Sequence, residues 1–165
     1  MNTSAKTLIL TGLGLLALTM FYGVGYALFD EHQTLVGMGV LMATGFVEAA
    51  AGNMPAAFES LDAYGALSQE YRNEVHSHGH WGMLSLILIV LGLAFGRIGF
   101  TERQRKMLAW VLALSAALFP LGVLLQIGPA AGLGKALLML GSSGMILGLL
   151  AAVYWLLKPS RQSME

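Results

Sequence analysis

The sequence contains no cysteine and few charged residues, and each shortage excludes a class of protein. Without cysteine the chain has no disulfide, no thiolate-ligated metal and no thiol nucleophile. Charged residues make up 11% of the chain, against roughly 25% in a soluble domain, whereas hydrophobic residues make up 56%. No dense basic patch is interleaved with aromatic residues, so nothing predicts binding to nucleic acid. The composition predicts an integral membrane protein in contact with the lipid bilayer.

Four apolar stretches are long enough to cross about 30 Å of hydrocarbon, which takes about 20 residues. They cover residues 7–29, 78–96, 107–126 and 135–157. The sequence therefore predicts an all-α fold, an integral membrane four-helix bundle that forms a single transmembrane domain over residues 1–165. We expect the first span to be retained, because the residues before it are only weakly basic and no clear signal-peptide cleavage site follows it.

The segment between the first two spans, residues 30–75, is harder to assign. Residues 35–51 are apolar but short for a span, and they contain Glu48. The sequence Gly52-Asn53-Met54-Pro55 then breaks the run, and residues 56–67 are compatible with a short amphipathic helix. We interpret the whole segment as an extracytoplasmic lid, re-entrant or interfacial, because a fifth crossing would conflict with the distribution of basic residues.

Basic residues favour one side of the membrane. With four crossings, seven of the nine lysines and arginines share a side, and only Arg72 and Lys135 fall opposite. By the positive-inside rule both termini are cytoplasmic. The chain is then a multi-pass protein of the cell inner (cytoplasmic) membrane, with its histidines toward the outer end of the bundle.

Three of the four histidines, His76, His78 and His80, stand within five residues at the start of the second span. Ionisable groups at membrane depth usually pair, ligate a metal or relay protons. If the helix begins by Val75, His76 and His80 share one face, and His78 points about 200° away from His76. One interpretation is a divalent ion bound by His76 and His80 with Glu31, His32 or Glu74. The other is a planar cofactor that faces His78.

The residues around the histidines suit a cofactor pocket. Gly79 and Gly82 remove side-chain bulk beside the imidazoles, which would let a flat macrocycle or another helix approach closely. Trp81 and Met83 are apolar and polarisable side chains of the kind that line such a pocket. The alternative is a solvated patch of histidines at the membrane interface, with Trp81 as an aromatic anchor.

The His-x-His pattern, followed by Gly-Met and apolar residues, resembles the haem-bearing helix of nitric oxide reductases and haem-copper oxidases. In those enzymes two histidines spaced by one residue ligate haems on opposite sides of one helix. This resemblance covers only about twenty residues, and the chain is too short for the remaining spans of such an enzyme.

A longer resemblance, over spans one to three, is to the styrene oxide isomerases. These are small four-helix membrane proteins that form trimers and bind haem b between protomers through one axial histidine. The matching features are the size, the sequence Phe21-Tyr22-Gly23-Val24-Gly25, and Gly99-Phe100 before a charged loop. Aligning the Gly-Phe pair implies haem b with His78 as the iron ligand, and a homo-oligomer, a trimer. In that register the family's asparagine, aspartate and tyrosine positions hold Leu84, Ser115 and Val123.

The resulting expectation is a haem b-binding membrane protein that isomerises a small hydrophobic, epoxide-like molecule with haem iron as Lewis acid. The candidate catalytic residues are Tyr22, Tyr26, Glu48 and Asn53. His76, His78, His80, Trp81 and Met83 are the candidate cofactor-binding residues. Two alternatives stay open: a haem protein for electron transfer or gas binding in respiration, and divalent metal binding or transport by the histidine cluster.

Overall fold

A computed structural model describes residues 2–97, 99–126 and 129–157. These residues form five long helices, α1 (Thr3–Phe29), α2 (Glu31–Ala50), α3 (Met54–Ala94), α4 (Glu102–Leu124) and α5 (Ala131–Leu157), and a short 3-10 helix (Phe95–Arg97) follows α3. Each of the five is long and apolar enough to cross a membrane. The described chain is all-α, as predicted, and its long apolar helices make it a multi-pass membrane protein.

Local sequence signals explain several helix ends. Thr101 and Gln104 form a capping box at the start of α4, in which the Gln104 backbone N–H donates to the Thr101 hydroxyl and the Thr101 backbone N–H donates to the Gln104 side chain. After α2, Gly52 adopts a φ of +77°, in the left-handed region that glycine enters at little cost. Pro55 stands in the first turn of α3, where its missing N–H needs no partner.

The predicted spans and the described helices differ at α2 and α3. Residues 35–51 were expected to be too short for a span, but the described α2 has 20 residues and is long enough to cross a membrane. Each of the four predicted spans falls on one helix, but α3 has 41 residues and begins at Met54 rather than near Val75. The short helix expected over residues 56–67 continues without a break into the histidine cluster. The reason is local: residues 68–77 contain neither glycine nor proline, so no residue there interrupts helical hydrogen bonding. Residues 30–75 are therefore mostly helical.

Two compact units make up the chain: residues 1–20 with 77–165, called here the core unit, and residues 21–76, called the hairpin unit. In the core unit α4 and α5 pack antiparallel along a seam of glycines. Gly134, Gly141 and Gly148 recur every seven residues on α5, and a Cβ at any of them would lie 2.5–2.8 Å from atoms of α4. Small residues at such a spacing let two helix backbones approach closely in lipid.

The other helices of the core unit close around this pair. The first part of α1 packs on the second half of α3, where a Cβ at Gly12 would lie 2.8 Å from the Ser85 carbonyl oxygen. In the same contact between α1 and α3, a Cβ at Gly92 of α3 would lie 2.7 Å from the Ile9 side chain of α1. The buried apolar cluster takes residues from four helices and the 3-10 helix: Ala5, Leu8, Leu84, Leu88, Phe95, Leu108, Ala109, Leu112, Ala116, Met145 and Ala152.

The hairpin unit pairs α2 with the first part of α3. Gly45 approaches Ala57 and Ser60, and Gly37 approaches Leu67, so the two segments run antiparallel from the turn at Gly52. All 20 residues of α2 are described, and none of them is buried. This helix is apolar around its circumference yet contributes no buried residue to the described structure, in contrast to α4.

Candidate functional site: the histidine cluster

The continuous helix α3 divides the histidine cluster between two faces. His76, His80 and Met83 are spaced as i, i+4 and i+7, which places them on one side of the helix. His76 and Met83 are exposed on that side. His78 lies about 200° from His76 and is half-buried, with its Nδ1 atom shielded from solvent. The three imidazoles therefore do not converge on one point.

A buried hydrogen bond fixes this part of α3 against α4. The hydroxyl of Ser77, next to His78, donates to the Pro120 carbonyl oxygen at 2.8 Å. Pro120 lies inside α4, where proline cannot donate the usual backbone hydrogen bond and commonly kinks a helix. Ser77 and Pro120 are both fully buried, so the bond forms away from water. It sets the position of the residues on either side of Ser77 relative to α4.

His80 is held by an aromatic contact. Its ring packs on that of Phe119 at a centroid distance of 4.8 Å, with the planes tilted by 49°. Phe119 in turn sits against Gly141 of α5, where a Cβ would lie 2.7 Å from the Phe119 Cα. The glycine seam thus determines how close Phe119 lies to α5, and through Phe119 it supports the His80 ring.

Trp81, Gly79 and Gly82 occupy three different environments. Trp81 is buried in the core unit, and its carbonyl oxygen accepts a hydrogen bond from the Ser85 hydroxyl. Gly82 packs near Thr19 of α1, 3.6 Å from where its Cβ would be. At Gly79 a Cβ would meet no described atom within 4 Å beyond the helix itself and its chain neighbours. The side of the helix at Gly79 is therefore open.

Within residues 2–97, 99–126 and 129–157, no three histidine, aspartate or glutamate side chains are grouped so that they could hold a metal ion. In the described residues, Glu31, His32 and Glu74, which the sequence analysis named as further ligands beside His76 and His80, do not complete such a group.

Of the candidate catalytic residues, Tyr22 and Tyr26 lie side by side at the end of α1. Their rings are nearly parallel, with centroids 6.3 Å apart and an interplanar angle of 9°. The Tyr26 hydroxyl is buried and lies next to the carboxyl of Glu74 and the hydroxyl of Thr34. Tyr26, Thr34 and Glu74 thus form a polar group inside the hairpin unit.

Glu48 and Asn53 form a separate pair at the turn of the hairpin. The Asn53 side-chain amide donates to the Glu48 carboxylate at 2.8 Å, and the Asn53 backbone N–H donates to the Glu48 carbonyl oxygen. Thr34 and Glu48 are about 20 Å apart along α2 at the usual helical rise of about 1.5 Å per residue. The structure therefore separates Glu48 and Asn53 from the tyrosine pair.

Glu74 lies beside Tyr26, and the sequence did not suggest this proximity. The sequence analysis considered Glu74 only as a metal ligand. Its neighbour Tyr26 is distant in the chain, and no local pattern in the sequence links a residue in α1 to one in α3. The acidic character of residues 70–74 was visible, but the tyrosine partner depends on the tertiary fold.

Comparisons with protein families, with characterised proteins and with solved structures find no match for this chain. The resemblance to the styrene oxide isomerases and to the haem-bearing helix of respiratory oxidases accordingly stays a prediction.

Proposed function

We propose that this chain is a haem b-binding membrane protein in which His78 is the axial ligand of the haem iron. The observation that carries the proposal is the division of the histidine cluster: among His76, His78 and His80, only His78 lies on its face of α3, and it is half-buried with its Nδ1 atom shielded from solvent.

The residues around His78 fit a planar group. The open side of α3 at Gly79 leaves room for a flat macrocycle to approach the helix. Ser77, anchored to Pro120, limits movement of the backbone beside the ligand. Haem held by His78 would supply an iron that acts as a Lewis acid on an oxygen atom of a small hydrophobic molecule, or that binds a gas.

We propose isomerisation of a small epoxide-like molecule as the reaction, on the basis of the sequence resemblance. Electron transfer or gas binding is the alternative within the haem class. Turnover of styrene oxide by the purified protein separates them.

The proposed topology has four crossings, with residues 30–75 outside the hydrocarbon and both termini cytoplasmic. Residues 54–74 of α3 carry Glu59, Asp62, Glu70 and Glu74, and each charged residue at the centre of a bilayer costs roughly 2.5–3.5 kcal/mol. Because α2 packs along this segment at Gly37 and Gly45, the same argument applies to α2. Single cysteines at Ser60 and Ser163 should label from opposite sides of the membrane, and labelling from one side contradicts the topology.

We further propose that copies of the chain assemble through the hairpin. An apolar groove runs along one side of it, lined among others by Met42 and Phe46 of α2 and by Met54, Phe58 and Leu61 of α3. Helical spacing puts Glu59 and Asp62 on another face, so two copies can meet at the groove without bringing carboxylates together. Exposed apolar surface of this kind marks an interaction site when it lies outside lipid.

Native mass spectrometry tests the assembly. The parent protein should appear as a homo-oligomer, a trimer by the sequence resemblance, and the double change Phe46→Ser with Phe58→Ser should yield monomers. Val47→Ser is the matched control, since Val47 is 67% exposed but does not line the groove. Parent protein that remains monomeric with its cofactor bound would contradict the assembly.

An absorption spectrum of the purified protein, oxidised and reduced, tests the haem itself. The parent should show a Soret band, which His78→Ala should abolish and His32→Ala should leave intact. A full Soret band in His78→Ala together with loss in His76→Ala or His80→Ala would move the site to the other face of α3. A parent without haem, even when haem is supplied during expression, would refute the proposal in favour of a metal-ion protein.

A further inference from the structure

A second groove lies in the core unit, far along the chain from the histidine cluster. It runs between the beginning of α4 and the end of α5 and encloses about 520 Å³, within the range of ligand-sized pockets. Its walls are apolar and aromatic, and they include Phe100, Met107, Val111, Leu150, Ala151 and Trp155.

One end of the groove is aromatic and marks the level of the membrane interface. The rings of Phe100 and Trp155 pack at 4.8 Å, and Tyr154 meets Trp155 edge-on at 5.8 Å. Tyrosine and tryptophan concentrate where hydrocarbon gives way to lipid headgroups. The part of the groove between Met107 and Leu147 therefore lies beside acyl chains, and the end at Phe100 lies beside headgroups.

The headgroup end carries a surplus of positive charge. Arg103 and Lys106 are exposed in the first turns of α4, and Glu102 is the acidic side chain beside them. Arg105 is half-buried, and its Nε donates to the carbonyl oxygen of Phe100 at 2.9 Å. This hydrogen bond keeps the Arg105 guanidinium beside Phe100, whose ring lines the groove. Helical spacing puts Arg103 and Arg105 on either side of the groove face and Lys106 on the opposite side of α4. An apolar groove with two arginines at its interfacial end is complementary to an anionic lipid.

We propose that this groove binds an anionic phospholipid, with an acyl chain along Met107, Val111 and Leu150 and the phosphate at Arg103 and Arg105, which flank the groove face of α4 at helical spacing. Charge complementarity decides the occupant: a neutral hydrocarbon would use the groove but not the basic end, and a soluble anion would use only the basic end. The site is independent of the proposed haem site, since it shares no residue with it.

The three tryptophans of the chain allow a direct test. A protein with Trp81→Phe and Trp110→Phe keeps Trp155 as its single tryptophan, in the groove. A protein with Trp81→Phe and Trp155→Phe keeps Trp110, which is 58% exposed and does not line the groove. Each is reconstituted in vesicles that contain either phosphatidylglycerol or phosphatidylcholine with brominated acyl chains, and quenching of the tryptophan fluorescence is measured.

Trp155 should prefer brominated phosphatidylglycerol over brominated phosphatidylcholine, while Trp110 should be quenched equally by both. Arg103→Gln should lower the preference at Trp155 roughly fivefold, whereas Lys106→Gln, on the opposite side of α4, and Lys135→Gln, at the other end of α5, should leave the preference unchanged. Equal quenching of Trp155 by the two lipids overturns the proposal. So does a loss of the preference when excess glycerol 3-phosphate is added, because that result indicates a phosphate site without a lipid.

Discussion

The core unit and the hairpin unit both contain long apolar helices, but the number of buried residues per helix differs greatly between the two units. In the core unit α4 buries residues along most of its length against α5, through contacts at Gly134, Gly141 and Gly148. In the hairpin unit α2 has an apolar composition and no buried residue. Hydrophobicity alone therefore does not produce a packed interface in this chain. The closeness of the helices accounts for the difference: a Cβ at these three glycines would lie within 2.7 Å of a neighbouring atom, whereas at Gly37 and Gly45 of α2 the nearest atoms are 3.2 and 3.6 Å away.

The largest effect should come from filling the glycine seam. A Cβ at Gly122 would lie 2.8 Å from the Gly134 carbonyl oxygen and would also meet the backbone of Leu138, which cannot move away. We expect Gly122→Leu to lower the free energy of unfolding by at least about 3 kcal/mol. The thermal unfolding temperature in detergent measures the loss.

Gly39→Leu in α2 is the control for that change. No described atom outside its own helix and its chain neighbours lies within 4 Å of a Cβ at Gly39, so the leucine has space. A similar loss of stability in both variants would remove the distinction between a packed and an unpacked unit.

A smaller effect is expected at the turn of the hairpin. Gly52 has a φ of +77°, and an alanine in the left-handed region costs about 1–2 kcal/mol. Gly52→Ala should therefore speed hydrogen exchange of the amides in α2. Gly65→Ala, in the interior of α3, should slow exchange locally, because alanine is the better helix former by about 1 kcal/mol. Unchanged exchange in Gly52→Ala would show that the turn does not hold the hairpin together.

The smallest effect should come from the hydrogen bond between α3 and α4. Ser77→Ala removes a buried bond to the Pro120 carbonyl oxygen, which should cost about 1 kcal/mol. Ser142→Ala removes an exposed bond within α5 and should change the unfolding temperature much less. If Ser77→Ala and Ser142→Ala lower the unfolding temperature by the same amount, Ser77 does not anchor the histidine cluster to α4.

Much of the helical architecture could be predicted from sequence, because apolar run length and capping are local properties. The four predicted spans fall on α1, α3, α4 and α5. The full length of α3 was missed, since residues 68–77 are polar and resemble a loop although nothing in them breaks a helix. The Tyr26–Glu74 neighbourhood could not be predicted, because its members come from different helices.

The glycine seam also has a consequence for biosynthesis. The glycines of α5 contact α4 in a regular antiparallel order: Gly141 meets Phe119, Gly144 meets Ser115 and Gly148 meets Leu112. The two residue numbers of each pair add up to 259 or 260, so α4 and α5 are in register along their lengths. Half of this match resides in α5, which leaves the ribosome after α4. Before α5 is inserted, the face of α4 at Gly122 is exposed to lipid. Insertion of α4 and α5 as one pair avoids that exposed intermediate.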